Sequence, residues 1–100
     1  MRIEVLYFDD CPNYLPTLER LRKILSEEGL SADLSSIEVK DALIAETVQF
    51  IGSPTIRIDG LDIDVGARSC EGVGIACRRY PGGLPSEEMI RAAFREARER

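Results

Sequence analysis

The chain contains no histidine, and only three of its 100 residues are cysteines. Without histidine, neither a serine–histidine nor a cysteine–histidine catalytic arrangement can form, and a zinc site would need cysteine and carboxylate ligands alone. An odd number of cysteines also does not suit a secreted scaffold held by disulfides. We therefore expect the cysteines to serve as thiols, ligands or transient redox partners.

Long apolar runs and blocks of positive charge are also missing. No stretch approaches the ~18 apolar residues of a membrane span. The 13 Lys and Arg residues are outnumbered by 18 Asp and Glu, and they form no basic stripe that could bind phosphates. The first residues, 1–4, begin a strand pattern at once, without the layout of a signal peptide. We expect a cytoplasmic protein with no nucleic-acid or membrane partner, and the sequence leaves its oligomeric state open.

Strand and helix patterns alternate along one expected domain, residues 1–100. The nearly continuous apolar run from Ile3 to Phe8 predicts a central strand that is covered on both faces. Apolar residues at helical spacing then predict a helix from Pro12 to the stop at Gly29. Pro16 would remove one bond inside that helix, so we expect a distorted first turn.

The rest of the chain continues the alternation. A strand over 32–39 would lie parallel to the first, because a helix separates the two. A second helix capped by Asp41 carries Leu43 on its apolar face and is followed by a hairpin that turns at Asp59-Gly60. The remaining predictions are strands over 56–58 and 61–65, a further strand over Gly74–Tyr80, and a last helix capped by Ser86.

Cys11 is the most informative residue, because it stands between the first strand and the first helix. A thiol at this junction can point into the first turn of the helix, where unpaired N–H groups and the positive dipole end favour a thiolate. That would make Cys11 a nucleophile. The alternative is a small apolar residue packed in the core, as many free cysteines are.

The order of elements, together with three short motifs, resembles the thioredoxin-like superfamily. The motifs are Cys11-Pro12, the run Phe50–Ile56 with Ser53-Pro54-Thr55 at its end, and Ile58-Asp59-Gly60. The resemblance implies an α/β thioredoxin-like fold, with a mixed sheet of four to five strands flanked by helices in the order β-α-β-α-β-β-α. It also implies a cis Ser53-Pro54 bond and a backbone edge beside Cys11 that pairs with an extended substrate.

The match has one notable departure, since Tyr14 stands where a dithiol member has its second cysteine. The site is most similar to a monothiol glutaredoxin site, with Pro12, Tyr14, Ser53, Pro54 and Thr55 as the expected substrate-binding residues. Three outcomes stay open for Cys11: a monothiol assisted by glutathione, a cycle that uses a second cysteine of the chain, or a ligand for a soft metal ion.

The second cysteine of such a cycle would be Cys70 or Cys77. If residues 61–65 form the strand that returns toward Cys11, the loop with Cys70 emerges near it; if Gly74–Tyr80 is the return strand, Cys77 approaches instead. We favour Cys77, because the Tyr80-Pro81-Gly82-Gly83 stretch that follows it resembles the glycine pair after the last strand of glutaredoxins.

Other polar residues have two interpretations each. The Tyr14 ring is either part of the core or a hydroxyl donor to the Cys11 sulfur. Four arginines form either a patch for glutathione carboxylates or a solvated surface, which we favour: Arg57, Arg68, Arg78 and Arg79. Three alternating acids look like a solvent-facing strand edge rather than a metal site: Asp59, Asp62 and Asp64.

Two functions therefore remain. The first is a thiol-disulfide oxidoreductase that acts on protein or small-molecule thiols and disulfides, with glutathione as its one possible cofactor and no metal. The second is a redox-silent thioredoxin-like module that binds a peptide or a thiophilic metal ion.

Overall fold

The computed structural model describes residues 1–69, 72–74, 76 and 78–100, which form a small α/β domain with an open, mixed sheet of four strands. In chain order the elements are β1 (Arg2–Tyr7), α1 (Tyr14–Glu27), β2 (Asp33–Glu38), α2 (Ala42–Thr47), β3 (Thr55–Ile58), β4 (Leu61–Asp62), a 3₁₀ helix (Val65–Ser69) and α3 (Glu87–Glu99).

The sheet has the strand order β2-β1-β3-β4. Strand β1 is parallel to β2 and antiparallel to β3, and β3 is antiparallel to β4. The predictions of a central first strand and a parallel second strand are confirmed. The β1 strand is central because the side chains on both of its faces are apolar enough to be covered, with Ile3 and Val5 on one face and Leu6 on the other.

Two separate cores lie on the two faces of the sheet. On one face, Ile3 and Val5 pack with the apolar sides of α1 and α3. On the other face, Leu6 packs with Ala45 of α2 and with Phe50. Leu43 does not join this second core as its spacing predicted, and it is 73% exposed, because α2 is so short that only one narrow stripe of it meets the sheet.

Helix α1 begins at Tyr14, two residues later than the prediction from Pro12. Asn13 is the residue that precedes the helix, and its side chain makes no capping hydrogen bond. Pro16 is therefore the third residue of α1. The first four N–H groups of a helix have no partner within it, so a proline at this position removes no hydrogen bond and the first turn needs no distortion.

The predicted cap and hairpin turn are both present in the middle of the chain. The Asp41 carboxylate accepts a hydrogen bond from the Ile44 N–H at 2.9 Å. Asp59 and Gly60 both have positive φ, 52° and 88°, as the mirror-image hairpin turn requires. Strand β4 is shorter than predicted because the Asp62 carboxylate accepts the Asp64 N–H at 2.9 Å, which turns the backbone out of the ladder.

A fifth strand over Gly74–Tyr80 is not seen in the described residues of that range, which are irregular. They nevertheless hydrogen-bond to the segment 50–53. The pairing does not extend along β3, because β4 already occupies that edge of β3, where the Ile63 N–H donates to the Ile56 carbonyl at 3.1 Å.

The last helix agrees with its prediction. The Ser86 hydroxyl accepts a hydrogen bond from the Met89 N–H at 3.1 Å, and Ile90 and Phe94 are fully buried. Within the ranges that the structure describes, no helix is long and apolar enough to cross a membrane.

Candidate functional site

Two consecutive turns hold Cys11 between β1 and α1. The Cys11 N–H donates to the Phe8 carbonyl at 3.3 Å, and the Cys11 carbonyl accepts from the Tyr14 N–H at 3.3 Å. Between them, Asp10 has a φ of 68°, a conformation that aspartate tolerates better than most residues. Because α1 begins only at Tyr14, Cys11 lies two residues before the helix cap at Asn13, outside the first turn where we expected it.

The Cys11 side chain is half-buried, and it is a free thiol within the described part of the chain. It lines a cavity of about 380 Å³. The other residues that line this cavity are Tyr7, Phe8, Asp9, Asp10, Tyr14 and Leu15. The cavity therefore combines the Cys11 thiol, a wall of aromatic rings and two exposed carboxylates, and solvent has access to it.

Tyr14 forms part of this wall by stacking on Tyr7. The two ring centres are 3.7 Å apart and the rings are within 7° of parallel. The Tyr14 hydroxyl donates its proton to Ser36 Oγ at 2.7 Å, so it does not serve as a donor to the Cys11 sulfur. Burial, followed by the neighbouring Tyr14, raises the pKa of Tyr7. The core-ring interpretation of Tyr14 is the correct one, and Pro12 beside Cys11 is exposed.

Ser53 and Pro54 lead from α2 into β3, whose first residue is Thr55, and all three residues are buried. The Ser53-Pro54 peptide bond is cis, as predicted. Ser53 Oγ accepts a hydrogen bond from the Phe8 N–H at 3.4 Å, and the Thr55 hydroxyl donates to the Gly52 carbonyl at 2.6 Å. The loop is thus tied to the turn that carries Cys11.

A buried ion pair next to this loop was not predicted. Arg78 and Asp62 lie 2.8 Å apart, and their side chains are only 10% and 7% exposed. The same guanidinium donates to Thr55 Oγ1 at 3.3 Å, lies 3.5 Å from the Asp64 carboxylate and stacks 4.6 Å above the Tyr80 ring. The predicted solvent-facing edge of acids is therefore wrong for Asp62, because Arg78 covers it.

Tyr80 closes this network from the other side. Its hydroxyl donates to the Pro54 carbonyl at 2.7 Å in a buried contact. Burial raises the pKa of Tyr80 well above its ordinary value. The sequence around Arg78 gives no sign of these partners, since the acids that meet it are 14 and 16 residues away along the chain.

Arg57 and Arg68 also have partners of their own, so the solvated surface that we favoured is wrong for both of them. Arg57 donates to the Val48 and Gln49 carbonyls at the end of α2, at 2.6 and 2.7 Å. Arg68 makes a two-point contact with Glu96, at 2.6 and 3.1 Å. Arg79 alone of the four is exposed.

A larger cavity, of about 510 Å³, lies on the α2 face of the sheet. Arg57 and Arg68 line it, but both guanidiniums are already bonded inside the chain. It carries no described thiol, and we assign the functional site to the smaller cavity because that one contains Cys11.

Cys70 and Cys77, the two predicted resolving cysteines, lie outside the described residues. In the described part of the chain, no group of three or more cysteine, aspartate or glutamate side chains is placed to hold a metal ion. Comparisons of the chain with protein-family models, with curated proteins and with solved structures found no match.

Proposed function

We propose that this protein is a thioredoxin-like, glutaredoxin-related thiol-disulfide oxidoreductase with Cys11 as its nucleophile. The observation that carries the proposal is the half-buried Cys11 thiol in an open cavity at the end of the central strand. The order of elements supports it, because it follows the β-α-β-α-β-β-α order that the motifs imply, with one added 3₁₀ helix. The buried Ser53-Pro54-Thr55 loop beside the Cys11 turn supports it further.

In the first step, the Cys11 thiolate attacks one sulfur of a disulfide. A new bond forms between Cys11 Sγ and that sulfur, the disulfide bond breaks, and the other half leaves as a thiolate that takes up a proton from water. The Cys11 sulfur is oxidised to a mixed disulfide while the leaving half is reduced. The cavity contributes a route by which the incoming disulfide reaches Sγ along the aromatic wall.

In the second step, another thiol attacks one of the two sulfurs of the mixed disulfide, and the other sulfur leaves as a thiolate that takes up a proton. Cys77, Cys70 or glutathione can supply that thiol. If a cysteine of this chain attacks Cys11, an internal disulfide forms and an external thiol must reduce it. If glutathione attacks the substrate half, Cys11 returns directly to the thiol, and the product is a disulfide with glutathione.

The test is turnover of a small disulfide with glutathione as the reductant, measured for the Cys11→Ser variant. Cys70→Ser, which also removes one thiol, is measured beside it and should lower turnover only if Cys70 resolves the mixed disulfide. We expect Cys11→Ser to abolish catalysed turnover. Unchanged turnover in Cys11→Ser would refute the proposal, and a wild type without turnover that still binds a thiophilic metal ion or a peptide would favour the binding module.

The Cys77→Ser variant separates the two routes of the second step. If Cys77 resolves the mixed disulfide, this variant accumulates an adduct on Cys11 that mass spectrometry detects. If glutathione resolves it, the adduct clears at the rate of the wild type. The same measurement on Cys70→Ser tests the other cysteine.

A further inference from the structure

The backbone of Ser53 is already paired with a later part of the chain. Its N–H donates to the Ala76 carbonyl at 2.8 Å, and its carbonyl accepts from the Arg78 N–H at 2.9 Å. Nearby, the Gly74 N–H donates to the Phe50 carbonyl at 3.1 Å. We call residues 74, 76 and 78–80 the covering segment. The covering segment occupies the N–H and the carbonyl of Ser53, which are the two groups that an added strand would need for pairing.

Side chains hold the covering segment in place as well. The buried Arg78–Asp62 ion pair joins it to β4, and the Tyr80 hydroxyl joins it to the Pro54 carbonyl. If the segment lifted off, Asp62 would lose its buried partner, which is costly for a charge that is only 7% exposed. The covering segment is therefore locked on this edge by both backbone and side-chain contacts.

Gly52 shows how closely the covering segment approaches. Its φ is 141°, and a Cβ atom there would lie 2.5 Å from Arg78 Cγ and 3.2 Å from the Ala76 carbonyl oxygen. Only glycine allows the two backbones to come so near. No room is left between them for a further polypeptide strand.

The Cys11 cavity offers a different way to the sulfur. None of its lining residues belongs to the covering segment or to the Ser53-Pro54-Thr55 loop. Its volume of about 380 Å³ lies near the lower end of the ~300–1,000 Å³ that is usual for small-molecule pockets. A small molecule can therefore reach Cys11 while the covering segment stays in place.

We infer that the Cys11 thiol reacts with small disulfides, and its mixed disulfide with small thiols, that enter through the cavity, and that the covering segment keeps extended polypeptides off the backbone edge of Ser53. This inference rests on the proposed function and narrows its substrate class. It makes Arg78 and Asp62 positioning residues, because they act by holding the covering segment. Ser53 then serves the site through its contact with Phe8 rather than by pairing with substrate.

The test compares two disulfides with the same leaving group. One is hydroxyethyl disulfide; the other is the mixed disulfide of 2-mercaptoethanol with a soluble single-cysteine peptide rich in threonine and valine, which favour extended conformations. Adducts on Cys11 are followed by mass spectrometry with peptide mapping. The rate of adduct formation on Cys11 is divided by the rate at which N-acetylcysteine amide reacts with the same disulfide. This ratio corrects for the difference in intrinsic reactivity between the two disulfides.

We expect the corrected rate of the wild type to be roughly tenfold lower for the peptide, because the peptide must be ordered without the one or two backbone hydrogen bonds to Ser53 that would offset this cost. Asp62→Asn weakens the contact that holds the covering segment against β4, so it should raise the peptide rate and leave the rate of the small disulfide unchanged. Asp64→Asn removes the same charge from the more exposed partner of Arg78 and should change neither rate. Arg78→Lys serves as the second variant if Asp62→Asn does not fold.

Hydrogen exchange of the Ser53 amide gives a readout besides the rates. We expect it to be protected in the wild type and in Asp64→Asn, and to exchange faster in whichever variant gains peptide reactivity. Equal corrected rates for the two probes in the wild type would overturn the covering role but leave the proposed function standing. A Cys11 that forms an adduct with neither probe would overturn both.

Discussion

The sharpest prediction for stability concerns the two carboxylates that face Arg78. Asp62→Asn replaces the oxygen that lies 2.8 Å from the guanidinium in a contact where both side chains are at most 10% exposed. Breaking one side of a buried ion pair costs ~3–5 kcal/mol. Arg78 retains Asp64 at 3.5 Å, so we expect the lower end, about 3 kcal/mol, which is a large part of the ~5–15 kcal/mol stability of a typical domain.

Urea denaturation followed by far-ultraviolet circular dichroism measures this cost. For a slope of about 1.5 kcal/mol per molar urea, the midpoint of Asp62→Asn should fall by about 2 M. Asp64→Asn is the matched control, because it removes the same charge near the same guanidinium, and its side chain is 40% exposed. That variant should lose at most about 1 kcal/mol. Equal losses in the two variants would refute the assignment of Arg78–Asp62 as the buried pair.

Three further predictions follow from single contacts. Tyr80→Phe leaves the buried Pro54 carbonyl without its donor and should lower the free energy of unfolding by about 1–2 kcal/mol at pH 7. Because burial raises the pKa of Tyr80, the stability of the wild type should fall as the pH rises above ~10. The difference in urea midpoint between wild type and Tyr80→Phe should therefore narrow above that pH, and a constant difference would contradict this. The hydrogen bond from Arg68 lowers the pKa of Glu96, so Glu96→Gln should be less stable than wild type at pH 7. This difference in stability should disappear as the pH falls through the region below about 4.5, where Glu96 takes up a proton. An equal difference at pH 7 and pH 3 would contradict the ion pair. Tyr14→Leu removes the stack of the Tyr14 ring on Tyr7 at the Cys11 cavity, whereas Tyr14→Phe keeps it. Tyr14→Leu should therefore lower the free energy of unfolding by about 1 kcal/mol more than Tyr14→Phe. Equal urea midpoints for the two variants would show that the stack contributes nothing.

Local signals in the sequence predicted most of the elements. Asp41 and Ser86 are caps that precede helical patterns, and both accept the expected backbone hydrogen bond. Asp59-Gly60 predicted a tight hairpin, and both residues have the positive φ that it needs. Each of these features depends on a few neighbouring residues, which is why the sequence alone is enough to find them.

Features that depend on distant parts of the chain were not predictable in the same way. Asp62 looked like one of several exposed acids, and its burial depends on Arg78 reaching it from a later segment. Residues 74–80 carried a strand pattern, yet the described ones make only isolated pairs with residues 50 and 53, because β4 occupies the adjoining edge of β3. The position of Cys11 before the cap, rather than in the first turn, depends on which residue begins α1, and helix ends are the least certain part of a pattern.

The central claim is that the Cys11 thiol is the nucleophile of this protein, and adduct formation on each cysteine measures it most directly. The reduced protein is mixed with limiting hydroxyethyl disulfide at about pH 7, quenched with acid, and mapped by mass spectrometry of its peptides. We expect the first adduct to form on Cys11, faster than on N-acetylcysteine amide under the same conditions. A first adduct on Cys70 or Cys77 that also forms at the same rate in Cys11→Ser would contradict it.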